Sequence, residues 1–288
     1  MGHKSLSFTS SSKNFYIRVF LGLFICLLIH LYLVFFYKSR LKSPSNELNN
    51  RVIVESFLFE NMADSLFLGS SMTHYLPISE KKKLGFTNSN ACFGLQIINI
   101  KKAKPKQLLI EVDGLFAKTN IHLIQAYNNP IYFSIKKHFY IFQIKNRPLL
   151  YISHILARTI HFLSIKLKKD LLYSDDISKN VNEDFNNILL PSFNNKDITT
   201  IKSNITLLAN QLSSENLTDT KVVFYEMPLK KALANSFQIM KIRALIKQKF
   251  PDAHYISASH YKASCFRDGI HLTSKAGKDH LDYLVSSM

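Results

Sequence analysis

Three residues at two distant points of the chain have the types and spacing that nucleophilic catalysis requires. Ser71 closes a Gly-Ser-Ser segment, and Asp268 and His271 stand three positions apart some 200 residues later. A serine hydroxyl becomes a nucleophile when a histidine takes its proton, and a carboxylate orients that histidine. The spacing of Asp268 and His271 can place both side chains on one side of a turn. These residues predict a hydrolytic site with Ser71 as its nucleophile and Ser70 as the alternative.

Apolar runs and helical patterns predict the elements that position these residues. Their alternation indicates an α/β fold with a parallel sheet covered on both faces. Ser71 then lies where a strand ends and a helix begins, at the sheet edge where catalytic groups collect. The strand candidates are Ser65–Leu68, Gly85–Ala91, Gln107–Val112, Lys221–Tyr225 and His254–Ile256, and the helix candidates are Arg51–Met62, Leu229–Phe250 and Ser274–Val285, the last capped by Thr273 or Ser274.

The segment Val19–Tyr37 contains 19 residues without a formal charge. A helix of that length rises about 28 Å, close to the hydrocarbon thickness of a bilayer. No small-x-small cleavage site follows, so the segment predicts an uncleaved single-pass transmembrane anchor. Basic residues flank it almost equally on both sides and leave the orientation undecided. Residues 1–18 would then be a tail, 38–50 a linker and 51–288 the folded domain.

Residues of about 115–215 interrupt the strand and helix alternation, and this stretch is predicted to be an insertion with helices from Ile131 to Leu172. Its aromatic side chains are interspersed with lysines and arginines. Two interpretations remain open at this point. The insertion is either a helical subdomain whose aromatic residues face its own core, or a helical layer that lies on a membrane surface.

Composition excludes several classes of protein. The chain has 288 residues, of which 47% are hydrophobic and 20% charged, as in a globular domain. The net charge of +17 comes with no zinc-finger spacing and no aromatic RNA-binding signature, so no nucleic-acid partner is predicted. A basic surface beside an anionic envelope and a generic solvated surface both remain possible. Cys26, Cys92 and Cys265 match no metal-ligand spacing, and Cys92 and Cys265 either pair or are two buried thiols.

The two motifs together resemble the SGNH (GDSL-type) hydrolase superfamily. The segment Gly69-Ser70-Ser71 matches the first block of that family, with serine in place of the middle aspartate, similar to envelope members such as the D-alanyl-lipoteichoic-acid transfer proteins. The segment Asp268-Gly269-Ile270-His271-Leu272 matches the last block. The resemblance covers about 64–114 and 221–285. It implies a three-layer α/β/α sandwich with a flavodoxin-like parallel sheet.

The resemblance also implies roles for further residues. Gly94 corresponds to the second-block glycine, which donates its N–H to the oxyanion beside the Ser71 N–H. The third block lacks its asparagine, and Asp113 stands there instead, although an unprotonated aspartate cannot donate a hydrogen bond. His74 is close to the site in sequence and is either a substrate contact or a surface histidine. The family chemistry requires no metal or cofactor.

The resemblance implies hydrolysis or O-acyl transfer on a cell-envelope polysaccharide or similar surface glycan. The domain would face the outside of the cell (inner) membrane and the N-terminal tail the cytoplasm. One span cannot carry an acyl donor across a bilayer, so a transferase would need a multi-spanning membrane acyltransferase partner. Three alternatives remain: a degenerate domain that binds a glycan without turnover, a basic anchored module that binds anionic lipid or glycan, and an esterase of simple short-chain esters.

Overall fold

The computed structural model describes most of the folded domain and part of the N-terminal region. The predicted linker residues 38–45 and the central part of the predicted insertion, 147–194, lie outside the described residues. The described residues are 9–36, 46–61, 63–79, 82–119, 122–146, 195–268 and 270–288.

The described elements alternate between helices and strands along most of the domain. In chain order they are α1 (Thr9–Phe36), α2 (Asn46–Phe59), β1 (Ser65–Gly69), α3 (Ser71–Tyr75), β2 (Lys83–Gly85), α4 (Ala91–Lys101), β3 (Gln107–Glu111), α5 (His122–Gln125), α6 (Pro130–His138), α7 (Asn195–Leu212), β4 (Lys221–Tyr225), α8 (Lys231–Ala234), α9 (Phe237–Lys249), β5 (His254–Ile256) and α10 (Ser274–Ser286). Short 3-10 helices lie at Asp113–Phe116, Ala126–Asn128, Tyr140–Phe142, Ile144–Asn146, Glu215–Leu217 and Ala263–Cys265.

The five strands form one parallel sheet in the order β2-β1-β3-β4-β5. The predicted parallel α/β sheet is thereby confirmed, and its strand order is that of flavodoxin-like sheets. In such sheets the strand order reverses between β1 and β3, and ligands bind at the carboxyl ends of these two strands. Ser71 follows the carboxyl end of β1 with only Ser70 between them, so the fold places it at this switch point.

Side chains that alternate along the strands fill two hydrophobic clusters, one on each face of the sheet. Leu66 and Leu68 of β1 pack into one cluster with residues of α2, α4, α7 and α9. Phe67, the residue between them, packs into the other cluster with residues of α10 and of the segment around Met72. This period of two is what a strand buried on both faces requires.

Several predicted boundaries differ from those in the structure. The weak strand candidate Gly85–Ala91 is wrong for most of its length, because β2 ends at Gly85. Asn88 adopts a positive φ of 58°, and Asn90 caps α4 by accepting a hydrogen bond from the Cys92 N–H at 3.0 Å. Asparagine tolerates a positive φ better than most residues and is also among the preferred helix N-caps.

Two predicted helices also begin or divide elsewhere. The helix predicted at Arg51–Met62 begins earlier, at Asn46, within the predicted linker, and ends at Phe59. The helix predicted at Leu229–Phe250 divides into α8 and α9, because Ser236 caps a new helix start there. The helix predicted at Ser274–Val285 is confirmed with Thr273 as its N-cap.

The predicted insertion contributes a helix to the main domain. Helix α7 lies within the predicted range, yet its residues Ile201, Ile205 and Leu208 are buried in the cluster shared with α2 and α4. It therefore forms part of the helical layer on that face of the sheet. The described segment 122–146 is tied to α2 by Glu55, whose buried carboxylate accepts hydrogen bonds from Lys136 at 2.6 Å and from Tyr127 at 2.8 Å.

Aromatic residues of the described insertion divide between the core and the surface. Tyr132 and Phe133 pack against the cluster that contains α2, whereas Phe139 and Phe142 are exposed. The first pair therefore contacts the core of the main domain rather than a core of the insertion's own. The exposed pair leaves the membrane-surface interpretation a prediction.

Helix α1 includes most of the apolar N-terminal run, and its described side chains from Tyr16 to Ile29 are exposed to solvent. Within the described part of the chain, no helix is both long and apolar enough to cross a membrane. The predicted anchor Val19–Tyr37 ends at Tyr37, which lies outside the described residues.

The two cysteines whose pairing was left open lie on opposite faces of the sheet. Cys92 is fully buried in the cluster that contains α4, whereas Cys265 packs against the other cluster. Both are free thiols. The sheet lies between them, so a Cys92–Cys265 disulfide is ruled out. Burial raises the pKa of the Cys92 thiol to about 12, as expected for an unreactive core thiol.

Candidate active site

Ser71, His271 and Asp268 form a continuous chain of hydrogen bonds. The Ser71 hydroxyl lies 3.0 Å from Nε2 of His271, and Nδ1 of the same ring lies 2.8 Å from Oδ2 of Asp268. When Nδ1 carries the ring proton and donates a hydrogen bond to the carboxylate, Nε2 is unprotonated and can accept the proton of the serine. This is the arrangement of a serine, histidine and aspartate triad.

A tight hairpin holds Asp268 and His271 in this relation. Phe266 and Leu272 form an antiparallel bridge across its base, and the Arg267 N–H donates to the carbonyl of His271 at 2.7 Å. The second carboxylate oxygen of Asp268 accepts the backbone N–H of His271 at 2.9 Å. The aspartate is therefore fixed at both oxygens before any substrate binds.

The environment of Asp268 favours its ionised form. Partial burial by itself would raise the pKa of this carboxyl. The hydrogen bonds from the backbone and ring of His271 outweigh burial, and the net result is a lowered pKa. An ionised Asp268 is what the adjacent ring needs if it is to accept a proton from Ser71.

Ser70 has a structural role in the turn before α3. Its hydroxyl donates to Oε1 of Glu111 at 2.5 Å and accepts the N–H of Met72 at 3.2 Å, which makes it the N-cap of the helix. Ser70 is also buried. Because its proton is committed to a carboxylate, Ser70 is not positioned as a nucleophile, and the geometry favours Ser71.

Glu111, which the sequence did not single out, organises the turn that carries Ser71. This fully buried residue ends β3, and its carboxylate accepts four hydrogen bonds, from the backbone N–H and hydroxyl of Ser70 and of Thr73. The Thr73 hydroxyl in turn lies 2.6 Å from the hydroxyl of Tyr225. Burial raises the pKa of Glu111, and the four donors oppose that shift. The only signal in the sequence was a carboxylate at the end of an otherwise apolar strand.

Two glycines permit the close approach of these groups. A Cβ atom on Gly69 would overlap the Thr73 hydroxyl and the Glu111 carboxylate. A Cβ atom on Gly114 would lie 2.7 Å from both the Ser70 Cβ and a Glu111 carboxylate oxygen. Only glycine leaves room for the turn and the carboxylate at these positions.

Gly94 lies in the first turn of α4, four positions after the Asn90 cap. The Asn90 carbonyl accepts the Phe93 N–H at 3.1 Å. A Cβ atom at Gly94 would lie 3.2 Å from Leu68 and 3.5 Å from Leu84, so the glycine lets α4 pack closely on the sheet. Its role as an oxyanion donor stays a prediction.

Asp113 is also engaged elsewhere. Its buried carboxylate accepts the Met227 N–H at 2.6 Å and two hydrogen bonds from Arg243, at 2.9 and 3.2 Å. Burial raises the pKa of Asp113 to about 6, against the opposing effect of Arg243. Arg243 also pairs with Glu226 at 3.1 Å. Asp113 ties the end of β3 to β4 and α9, and we do not retain it as a substrate ligand.

The backbone N–H of Ser71 is the one donor of the turn left for an oxyanion. The N–H groups of Ser70 and Thr73 donate to Glu111, that of Met72 to the Ser70 hydroxyl, and that of His74 to the Ser70 carbonyl. Within the described residues, the Ser71 N–H has no acceptor. A free N–H on the nucleophile itself is the usual first donor to a tetrahedral oxyanion.

An aromatic residue that was not predicted borders the triad. The Tyr75 ring packs edge-on against His271, with centroids 4.6 Å apart and an angle of 68°. His74, predicted as either a substrate contact or a surface histidine, also lies edge-on to Tyr75, with ring centroids 5.1 Å apart. Tyr75 is 47% exposed, so it forms part of the surface around the site.

The structure thus brings together three of the seven predicted site residues in one hydrogen-bonded chain, Ser71, His271 and Asp268. Ser70 supports the turn, His74 lies nearby, and Gly94 and Asp113 serve the core. Comparisons with protein-family models, curated proteins and solved structures find no match for this chain.

Proposed function

We propose that this protein is an SGNH-type serine esterase or O-acyltransferase. The observation that carries the proposal is the hydrogen-bonded chain Ser71–His271–Asp268, with distances of 3.0 and 2.8 Å. Its support is the position of Ser71 at the switch point of a parallel sheet in the flavodoxin-like order, where such sheets bind ligands.

The reaction would proceed through an acyl-enzyme. The Ser71 oxygen attacks the ester carbonyl while Nε2 of His271 takes its proton. The alcohol leaves with that proton, and the acyl group stays on Ser71. Water, in a hydrolase, or a sugar hydroxyl, in a transferase, then gives a proton to His271 and attacks the acyl group. The Ser71 oxygen leaves with the proton that His271 returns, and the free serine is restored. Asp268 stabilises the imidazolium throughout without becoming protonated.

Oxyanion stabilisation would depend on the Ser71 N–H. Developing charge on the carbonyl oxygen is stabilised most by donors that are already oriented before the reaction. The Glu111 hydrogen bonds to Ser70 and Thr73 fix the turn and hence the direction of this N–H. No step of the scheme uses a metal or a cofactor.

The substrate we propose is an acyl ester on a cell-envelope polysaccharide. The resemblance to envelope acyl-transfer proteins and the apolar segment 19–37 support a domain anchored in the cell membrane and facing outward. A transferase of this kind would receive its acyl group through a multi-spanning membrane partner. The chain charge of +17 suits a negatively charged surface polymer.

A second candidate is a domain that binds a glycan without turnover. The observation in its favour is the third block, where the position of the family asparagine is taken by Asp113, and this carboxylate is occupied by Arg243. A site with one backbone donor and no side-chain donor would stabilise an oxyanion less well.

Active-site labelling separates these candidates. We would expose the full chain in detergent to a fluorophosphonate probe, which reacts with activated serines, beside the variants Ser71→Ala and His271→Ala. Labelling of the wild type that is lost in both variants is expected. His254→Ala, at an exposed histidine of β5, is the matched control and should label normally. An unlabelled but folded wild type would favour the binding-only domain. With a labelled enzyme, acyl transfer to an added glycan rather than to water would identify a transferase.

A further inference from the structure

The side chain of Arg267 lies on Tyr75, the aromatic residue that borders the proposed triad. Its guanidinium carbon is 6.0 Å from the centre of the Tyr75 ring, within the range of a cation–π contact. The Tyr75 ring in turn lies 4.6 Å from the ring of His271. The distance from the guanidinium carbon to the centre of the His271 ring therefore cannot exceed the sum of these two distances.

Arg267 belongs to the same hairpin as the two triad residues. It directly precedes Asp268, and its N–H donates to the carbonyl of His271 at 2.7 Å. Its backbone is thus as firmly placed as that of the triad. Tyr75, from the turn that bears Ser71, supports the side chain, so both halves of the site contribute to the position of the guanidinium.

Arg267 is exposed, and in the described part of the chain no carboxylate pairs with it. The nearby acids are already occupied. Asp268 binds His271, and Glu111 is buried among four donors. An exposed arginine is ordinary on so basic a chain, but this one is unpaired, seated on an aromatic ring and adjacent to a triad. A guanidinium presents a planar fork of donors that matches carboxylate and phosphate groups.

We propose that Arg267, held on the Tyr75 ring, binds an anionic group of the ester substrate, a carboxylate or a phosphate on the sugar unit that carries the acyl group or on its neighbour. The proposal rests on the serine chemistry proposed above and defines its substrate class as esters of acidic glycans. Both anions offer the same pair of acceptor oxygens to the guanidinium, and the arms of the test distinguish them.

The test compares esters that share an acetyl group and differ in the charge of the leaving alcohol. They are 4-acetoxybenzoate, 4-acetoxyphenyl phosphate and the neutral methyl ester of 4-acetoxybenzoate. The full chain in detergent is assayed as wild type, Arg267→Ala and Arg267→Lys. Lys249→Ala is the matched control, because it removes one exposed positive charge at the end of α9, which leads to the amino edge of the sheet, opposite the site.

We expect Arg267→Ala to lower the ratio of kcat/KM for an anionic ester over the neutral ester by about tenfold, as for loss of a charge-assisted hydrogen-bonded pair. Arg267→Lys keeps the charge without the fork, so its ratio should be intermediate, and Lys249→Ala should keep the wild-type ratio. A fall confined to the carboxylate or to the phosphate ester identifies the anion. A ratio within about twofold of wild type for both anions would overturn the proposal.

Failure of the serine chemistry gives a different result. If the folded wild type neither labels with fluorophosphonate nor cleaves any of the esters, the proposed reaction is wrong. Binding of trigalacturonate and of inorganic phosphate, measured by calorimetry on wild type and Arg267→Ala, then decides the anion site. Binding weakened about tenfold in the variant supports the site. Equal binding by both proteins, or binding by neither, rejects it.

Discussion

Glu111 and Ser70 are joined by two hydrogen bonds, from the Ser70 N–H at 2.9 Å and from the Ser70 hydroxyl at 2.5 Å. Glu111 ends β3 and Ser70 directly follows the end of the neighbouring strand β1, which pairs with β3 as far as Leu68 opposite Ile110. Strand pairing thus sets a buried carboxylate directly against the residue that precedes the nucleophile. The pairing of β1 with β3 therefore helps to set the orientation of the turn that carries Ser71.

Replacing Glu111 with glutamine should destabilise the protein and slow labelling of Ser71. Glutamine keeps the shape but puts two donors where the carboxylate offers only acceptors, so at least one donor of Ser70 or Thr73 loses its partner. The expected cost is about 1–3 kcal/mol in the free energy of unfolding. Urea denaturation and the rate of fluorophosphonate labelling would measure the two effects, with the exposed Glu215→Gln as control. An unchanged stability would mean that Glu111 carries a proton in the native protein.

Asp268→Asn should leave the fold intact and remove most of the activity. The amide would present an N–H to Nδ1 of His271 and thereby favour the ring tautomer that cannot accept the Ser71 proton. A loss of about 10³–10⁴-fold in kcat is expected from the behaviour of serine triads. Ester hydrolysis and labelling rates test this, beside Asp252→Asn at an exposed aspartate. A loss smaller than tenfold would show that Asp268 does not support the histidine.

Gly114→Ala should be poorly tolerated. The new Cβ would lie 2.7 Å from the Ser70 Cβ and a Glu111 oxygen, and both partners are fixed by hydrogen bonds. Overpacking of this kind costs about 1–3 kcal/mol, and the shift of Ser70 should also slow labelling of Ser71. Gly277→Ala is a suitable comparison, because its nearest neighbour would be Pro77 at 3.2 Å, a milder contact. Equal thermal stability of the two variants would contradict the close approach.

His280 should make the protein sensitive to acid. The residue is fully buried between Tyr261 and Tyr283, and burial lowers the pKa of His280 from 6.5 to about 4. Between these values the unfolded chain binds a proton that the folded chain does not, so stability is lost as the pH falls. The loss amounts to about 3 kcal/mol. His280→Leu should therefore gain this amount relative to wild type between pH 7 and pH 4.

Asp113 acts with the opposite sign in an overlapping pH range. Burial raises its pKa from 3.8 to about 6, so the folded chain binds the extra proton there and stability increases as the pH falls. Asp113→Asn should therefore lose about 3 kcal/mol relative to wild type on acidification. Urea titrations of both variants at pH 7 and pH 4 measure these changes. His254→Leu, at an exposed site, is the control. Parallel behaviour of the two variants would contradict the assignments.

The sequence alone predicted the structure correctly where a local pattern of residues determines the element or the contact. The strands containing Leu66–Leu68 and Leu108–Ile110 are short apolar runs with turn residues after them, and both are found as predicted. Asp268 and His271 were paired correctly because they lie only three positions apart in one hairpin, so the local turn sets the distance between their side chains.

Relations between distant residues could not be predicted in this way. Glu111 binds Ser70 across 41 positions, and nothing local to either residue specifies that contact. The surroundings of Gly94 depend on where α4 begins, and the Asn90 cap that sets this point was not used in the sequence analysis. The separation of Cys92 from Cys265 follows from the sides of the sheet on which their elements pack. Such outcomes depend on packing rather than on periodicity.

The nucleophile and its base lie 200 positions apart, at the end of β1 and in the hairpin before α10. The long connection from β3 to β4 supplies neither of them. Beyond Gly114, which packs against Ser70, changes on the exposed surface of that connection therefore leave the reacting atoms in place. The stretches that build the reaction centre and the stretch whose outer surface can be altered are thus separate parts of one chain.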